Sequence, residues 1–99
     1  MFKAIILLTR REDASPEAFA HWWLQRHAPL ARTLPGLRKL VFNLVTSGGA
    51  VDGVSELWFD SQADFEAAYA SAIGRAVAAD SMANVARRER LFVAEHTQL

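Results

Sequence analysis

Apolar side chains fall in short runs along this chain, and their spacing changes from run to run. Phe2 to Thr9 carries Ile5, Ile6, Leu7 and Leu8 in succession. A strand apolar on both faces is covered on both faces, so this run predicts a doubly buried strand. Ser15-Pro16-Glu17 then opens a helix: the serine caps free amides, proline needs no amide in the first turn, and the acid complements the dipole. Phe19, Trp23 and His27 follow at steps of four, which puts them on one helical face, continued by Leu30, Ala31 and Leu34. An imidazole on the stripe that faces the interior is the best chemical handle in the chain. Pro29 predicts a kink or a restart, and Leu34-Pro35-Gly36 a stop.

Leu37 to Val45 reads as the second strand, interrupted by Asn43. Thr46 to Gly53 is a glycine-rich connection, and Val54 to Phe59 is the third strand, paired with the second as a hairpin. Asp60 or Ser61 caps the next helix, whose buried stripe is Phe65, Ala68 and Tyr69. Gly74 is expected to break it. Val77, Ala78, Met82 and Val85 suggest a further helical piece of about ten residues, and Arg90 to His96 the last strand. The order is β-α-β-β-α-β, a ferredoxin-like α+β fold in which both helices cover one side of a four-stranded antiparallel sheet. Leu40, Phe42, Leu44, Leu57 and Phe59 are expected to share the uncovered side. A bare apolar sheet marks an interaction surface, and a two-fold copy packed sheet to sheet is the economical cover, so a homodimer is expected.

Composition narrows the function classes. The 99 residues make one domain, 1–99. Without cysteine, disulfides and thiolate metal sites are excluded. The formal charge of zero gives no reason to expect nucleic acid or an anionic membrane. Phe2 to Leu8 is too short to span a bilayer and lacks the flanks of a signal peptide, so a cytoplasmic protein is expected. His21 and His27 are six residues apart, the wrong spacing for one metal on one helix face. No phosphate-binding glycine loop or nucleophile elbow occurs, and Ser55 has no base-and-acid set near it, which disfavours nucleophilic hydrolysis.

Several segments together resemble the EthD family. They are Phe2-Lys3-Ala4-Ile5-Ile6-Leu7-Leu8, the helix with His27-Ala28-Pro29-Leu30-Ala31, and Leu34-Pro35-Gly36-Leu37. Asp52 to Asp60, Gly74 to Asp80 and Phe92-Val93-Ala94-Glu95-His96 complete the set. The resemblance implies a dimeric α+β barrel, two ferredoxin-like subunits whose sheets pack to enclose a cavity. Related barrels include cofactor-independent monooxygenases, cyclases, muconolactone-type isomerases and haem enzymes, so the fold does not select a chemistry. The chain is also distantly similar to methylmuconolactone isomerases. Their histidine matches His27, whereas their strand-two tyrosine falls on Leu40 and their strand-three cysteine on Leu57. Two aliphatic residues there imply a drier cavity and a more apolar ligand.

His27 is therefore the candidate catalytic acid or base. Trp23, Phe42 and Phe59 are candidate cavity walls beside Leu40 and Leu57. Asn43 is a candidate donor to a ligand, or it closes the hairpin. Arg32 is a candidate to hold a carboxylate or enolate oxygen at the cavity mouth, or belongs to a solvated helix face. His96 either reaches the cavity or caps the sheet. Glu56, beside Val54 and Trp58, needs a partner: an ion pair, a backbone amide or a histidine. The expected activity is oxidation or isomerisation of a hydrophobic, oxygenated or aromatic small molecule, with no tightly held cofactor and no metal. The alternatives are a non-catalytic ligand-binding subunit of an oxygenase pathway, and a haem binder through His27 or His96.

Overall fold

Four strands pair antiparallel in the order β2-β3-β1-β4: β1 (Phe2–Arg10), β2 (Lys39–Leu44), β3 (Gly53–Phe59) and β4 (Val85–Val93). The computed structural model describes residues 1–99. Between β1 and β2 runs one helical rod, α1 (Pro16–His21), a π segment (Trp22–His27) and α2 (Ala28–Ala31). Between β3 and β4 lie α3 (Gln62–Ala70) and α4 (Ala72–Asn84). All helices lie on one side of the sheet, where Phe19, Trp23, Phe65 and Val77 share a core with Ala4, Ile6, Leu8, Leu57 and Phe59. This is the ferredoxin-like βαββαβ arrangement that the order of elements predicts.

The rod has an unusual pitch for a reason visible in the sequence. Phe19, Trp23, His27 and Ala31 are all buried, at a strict step of four. In a pure α-helix each such step drifts by about 40°, so the last residue would point well away from the first. The π segment, in which Ala28 N–H reaches the Trp23 carbonyl, takes up the drift and keeps all four on the sheet. Pro29 sits next to it, where its missing amide would leave a gap in an α ladder in any case. Ser15 caps the rod by accepting from Ala18 N–H at 3.0 Å.

The pairing register corrects the expected division of the sheet faces. Leu40, Leu57 and Ala4 are cross-strand neighbours, as are Phe42, Ser55 and Ile6, and Leu44, Gly53 and Leu8; Phe59 pairs with Phe2. These residues face the helices, so Leu40, Phe42, Leu44, Leu57 and Phe59 are not on the uncovered side. The even positions of β1 and β2 and the odd positions of β3 are one face, and parity flips everything at once. Gly53 belongs to that face because Trp23 packs there: a Cβ would fall 2.7 Å from its ring. The uncovered side instead carries Ile5, Leu7, Val41, Val54, Trp58, Leu91 and Val93 around a polar centre. There Lys3 Nζ meets Glu56 Oε1 at 2.8 Å, and Asn43 Nδ2 donates to Glu56 Oε2 at 3.0 Å.

Three boundaries also differ from expectation. The break between α3 and α4 is at Ser71, whose Oγ accepts from Gly74 N–H at 3.0 Å, and not at Gly74. Gly74 lies inside α4 because its turn presses on α3; a Cβ there would fall 2.1 Å from the Ala68 carbonyl oxygen. The buried stripe of α4 is Gly74, Val77 and Ser81, while Met82 is exposed and Val85 already begins β4. β4 therefore starts five residues before Arg90 and takes in Arg87-Arg88-Glu89-Arg90. Charged residues suit an edge strand with solvated flanks, and that composition resembles a turn when read in sequence. No helix is long and apolar enough to cross a membrane.

Candidate functional site

His27 projects from the end of the π segment into the space between rod, α4 and sheet, and is 5% exposed. Its Nδ1 lies 2.8 Å from Asp80 Oδ2, and its Nε2 lies 3.4 Å from Ser81 Oγ. A carboxylate only accepts, so Nδ1 carries the proton and Nε2 holds the free lone pair, toward which the Ser81 hydroxyl donates. The other oxygen of Asp80 accepts from Asn84 Nδ2 at 3.3 Å, and the Asp80 carbonyl accepts from the same amide at 2.8 Å. Asp80 is thus held on both sides, which fixes the imidazole plane.

Two effects oppose each other on this ring. Burial lowers its pKa below the ordinary 6.5, and the hydrogen bond and charge of Asp80 raise it again, with burial the larger. The ring is neutral at pH 7, with Nε2 available as a base. The Trp22 ring lies 5.0 Å from it, and Phe42 lies 6.2 Å away, tilted by only 21°. Phe42 in turn stacks on Trp23 at 4.3 Å, the planes within 6°. The buried indole N–H groups of Trp22 and Trp23 have no acceptor.

Ser81, His27 and Asp80 stand in the order of a nucleophile, base and acid. The backbone around Ser81 argues against acyl transfer. Ser81 lies in the third turn of α4, where amides are committed to the helix ladder, so no free pair faces its hydroxyl to stabilise an oxyanion. The useful chemistry is that of the imidazole.

A small cavity lies beside the ring, lined by Trp23, His27, Leu40, Phe42, Leu57 and Tyr69 among others. It leaves about 10 Å³ for the centre of a water, room for about one. Burial raises the Tyr69 pKa, so its phenol keeps its proton at neutral pH. The cavity lies within one chain, between helix and sheet, and not in a hollow enclosed by two sheets.

The structure brings His27, Trp23, Leu40, Phe42 and Leu57 together. Arg32 lies outside, on a groove with Leu24, Ala28, Leu40 and Phe42. Phe59 is fully buried against Phe65, with ring centres 5.5 Å apart, and does not line the cavity. Asn43 is on the opposite face of the sheet, donating to Val54 and Glu56. His96 is exposed beyond the end of β4, its carbonyl accepting from Gln98. Glu56 pairs with Lys3 and not with a histidine. Asp80 and Ser81 were not singled out by sequence reasoning. The signal was present: Ser81 continues the Gly74–Val77 stripe, and Asp80 is the only carboxylate between Glu66 and Glu89.

Comparison with known families decides what this arrangement belongs to. The EthD domain profile matches residues 11–88, most of the chain. The chain belongs to the EthD family. No curated protein matches it. Among solved structures, an EthD family protein from Bacillus halodurans superimposes with a TM-score of 0.84 at 22% identity, over 97% of this chain and 100% of that one. A dimeric ferredoxin-like protein of unknown function from Thermobifida fusca gives 0.76 at 19% identity, over 95% and 90%. SnoaB, a cofactor-independent oxygenase from Streptomyces nogalater, gives 0.74 at 16% identity, over 99% and 95%. At these identities the likeness establishes the fold shared by EthD proteins and an oxygenase, and the chemistry has to be argued from the site.

Proposed function

We propose that this EthD protein is a small acid–base enzyme of the oxygenase or isomerase type, acting on a hydrophobic, oxygenated or aromatic molecule. The observation that carries the reading is the His27–Asp80 pair at 2.8 Å, which commits Nδ1 as donor and leaves Nε2 as the base facing the cavity. Nε2 removes a proton from an acidic O–H or C–H of the substrate, and Asp80 stabilises the imidazolium that forms. The resulting enolate or phenolate is the common first intermediate of isomerisation and of direct reaction with dioxygen. The fold shared with a cofactor-independent oxygenase supports this class by analogy alone.

A haem fits the residues poorly. His96 lies away from the cavity, and the space beside His27 Nε2 admits about one water. The second subunit is read from the open sheet face, where Ile5, Leu7, Val41, Val54, Leu91 and Val93 surround the Lys3–Glu56 pair. A homodimer packed through this face agrees with the dimeric relative of the same fold.

The test is oxygen uptake and absorbance change on a panel of phenols, enols and enol lactones, comparing wild type with His27→Gln. Turnover by wild type that disappears in a folded His27→Gln protein is the expected result. Equal turnover by both proteins removes the acid–base reading.

A further inference from the structure

The cavity beside His27 is far too small for the substrate class proposed above, so the molecule must be bound first somewhere else. We propose that the surface groove formed by Leu24, Ala28, Arg32, Leu40 and Phe42 is the binding site for a flat apolar molecule carrying one anionic oxygen group, held by Arg32. The proposal rests on the acid–base reading of His27 and supplies its substrate class.

The groove has a volume of about 250 Å³. Its helical wall is built by the same pitch as the buried stripe. Leu24, Ala28 and Arg32 are again at steps of four, one residue beyond Trp23, His27 and Ala31. The π segment thus lines up two parallel rows, one buried and one on the rim. Leu24 is 41% exposed, an apolar side chain left in water on an otherwise well-packed rod. The floor is Leu40 and Phe42, the helix-facing positions of the edge strand β2.

Leu40 and Phe42 also line the His27 cavity. They are the only wall residues the two spaces share, so these two side chains form the partition, and the proposal requires Phe42 to turn aside from it. His27 and Arg32 are five residues apart on the rod, a rise of about 7.5 Å. A molecule anchored at Arg32 and reaching toward Nε2 therefore has roughly the length of two fused rings.

Charge decides the polar end. The Arg32 guanidinium makes no hydrogen bond or ion pair, and no carboxylate lines the groove. A guanidinium at the end of an apolar trough matches a carboxylate or phenolate in geometry and charge. A second protein copy is a poor occupant, since five residues cannot supply the roughly 800 Å² per partner of a stable interface. The groove is on the helix side, away from the sheet face assigned to the dimer, and stays open in it.

The experiment titrates wild type with 2-naphthoate and with the neutral 2-naphthylmethanol by calorimetry. Wild type is expected to bind the anion at least tenfold more tightly. Arg32→Gln should bring the two probes within about twofold of each other. Arg26→Gln removes the other unpartnered arginine of the rod, outside the groove, and should keep the full preference. Equal affinities in wild type, no binding of either probe, or a preference that survives Arg32→Gln each overturn the proposal. The same titration on His27→Gln should keep the preference. Groove binding and His27-dependent turnover can thus fail separately.

Discussion

Asp80→Asn is the sharpest perturbation of the site because the surroundings dictate how the new amide sits. Asp80 Oδ1 accepts from Asn84 and Oδ2 accepts from His27 Nδ1. The substituted amide keeps its oxygen toward the Asn84 donor and turns its nitrogen toward His27. Nδ1 must then accept, so the proton moves to Nε2, which donates to Ser81 Oγ. The hydrogen bond survives without its charge, which reduces its contribution by about 1 kcal/mol. The Asp80 side chain is 31% exposed, and water takes up part of the difference, which keeps the loss at that lower end. For a domain of this size, about 1 kcal/mol is a fall in Tm of roughly 4–8 °C.

The pH dependence has a definite sign. Folded His27 already has a pKa below the unfolded 6.5, so its contribution is complete above 6.5 and is lost as pH falls toward the folded value. Removing Asp80 takes away the group that raises this pKa, so the stability gap between variant and wild type widens from pH 8 to pH 5. In a His27→Gln background the same substitution should cost less than about 0.5 kcal/mol, because the two residues act through each other. Long-range ¹H–¹⁵N spectra report the tautomer, and thermal unfolding at the two pH values reports the gap. An unchanged tautomer, or a stability loss equal at pH 8 and pH 5, refutes the reasoning.

Gly74→Ala should destabilise by about 3 kcal/mol or more in urea unfolding, since its Cβ falls 2.1 Å from the Ala68 carbonyl oxygen and backbone must move. Glu56→Gln should cost about 2 kcal/mol at pH 7, because Lys3, 8% exposed, loses its near partner. Hydrogen bonds from Lys3 and Asn43 hold Glu56 below its ordinary 4.5, so that stability is present above 4.5 and disappears on acidification. The variant's deficit should therefore vanish in acid, as followed by unfolding against pH. Val54→Asp, on the open sheet face beside Leu7 and Asn43, should convert a sedimenting dimer to monomer at micromolar concentration. A wild-type monomer, or a dimer that the aspartate leaves intact, refutes the proposed pairing through this face.

Much of the fold is legible in local pattern. The run of β-branched and aliphatic residues at Ile5 to Leu8, the Ser15-Pro16-Glu17 opening and the Ser61 cap each act within a few residues, so element order and ferredoxin-like topology follow from sequence. Strand parity is different. Leu40 and Val41, or Leu57 and Trp58, are equally apolar, and nothing local says which of each pair meets a helix. The register of β3 on β1 decides, through contacts about 50 residues away in sequence, and β3 passes it on to β2. The last strand starts before the expected Arg90 for a related reason: only pairing with Thr9, Leu8 and Leu7 makes Arg87-Arg88-Glu89 part of a strand.

The site divides along the same line. The step-four spacing of Phe19, Trp23, His27 and Ala31 by itself determined that an imidazole points inward, because burial of a helical stripe is a one-dimensional rule. That His27 has Asp80 as its acceptor, 53 positions later, was decided only when α4 packed across the rod. Strand register excluded Asn43 from the cavity, and the end of β4 at Val93 excluded His96. Periodicity assigns a residue to a face of its own element, whereas a hydrogen-bond partner requires two elements to be placed in space. Packing alone supplies that second condition.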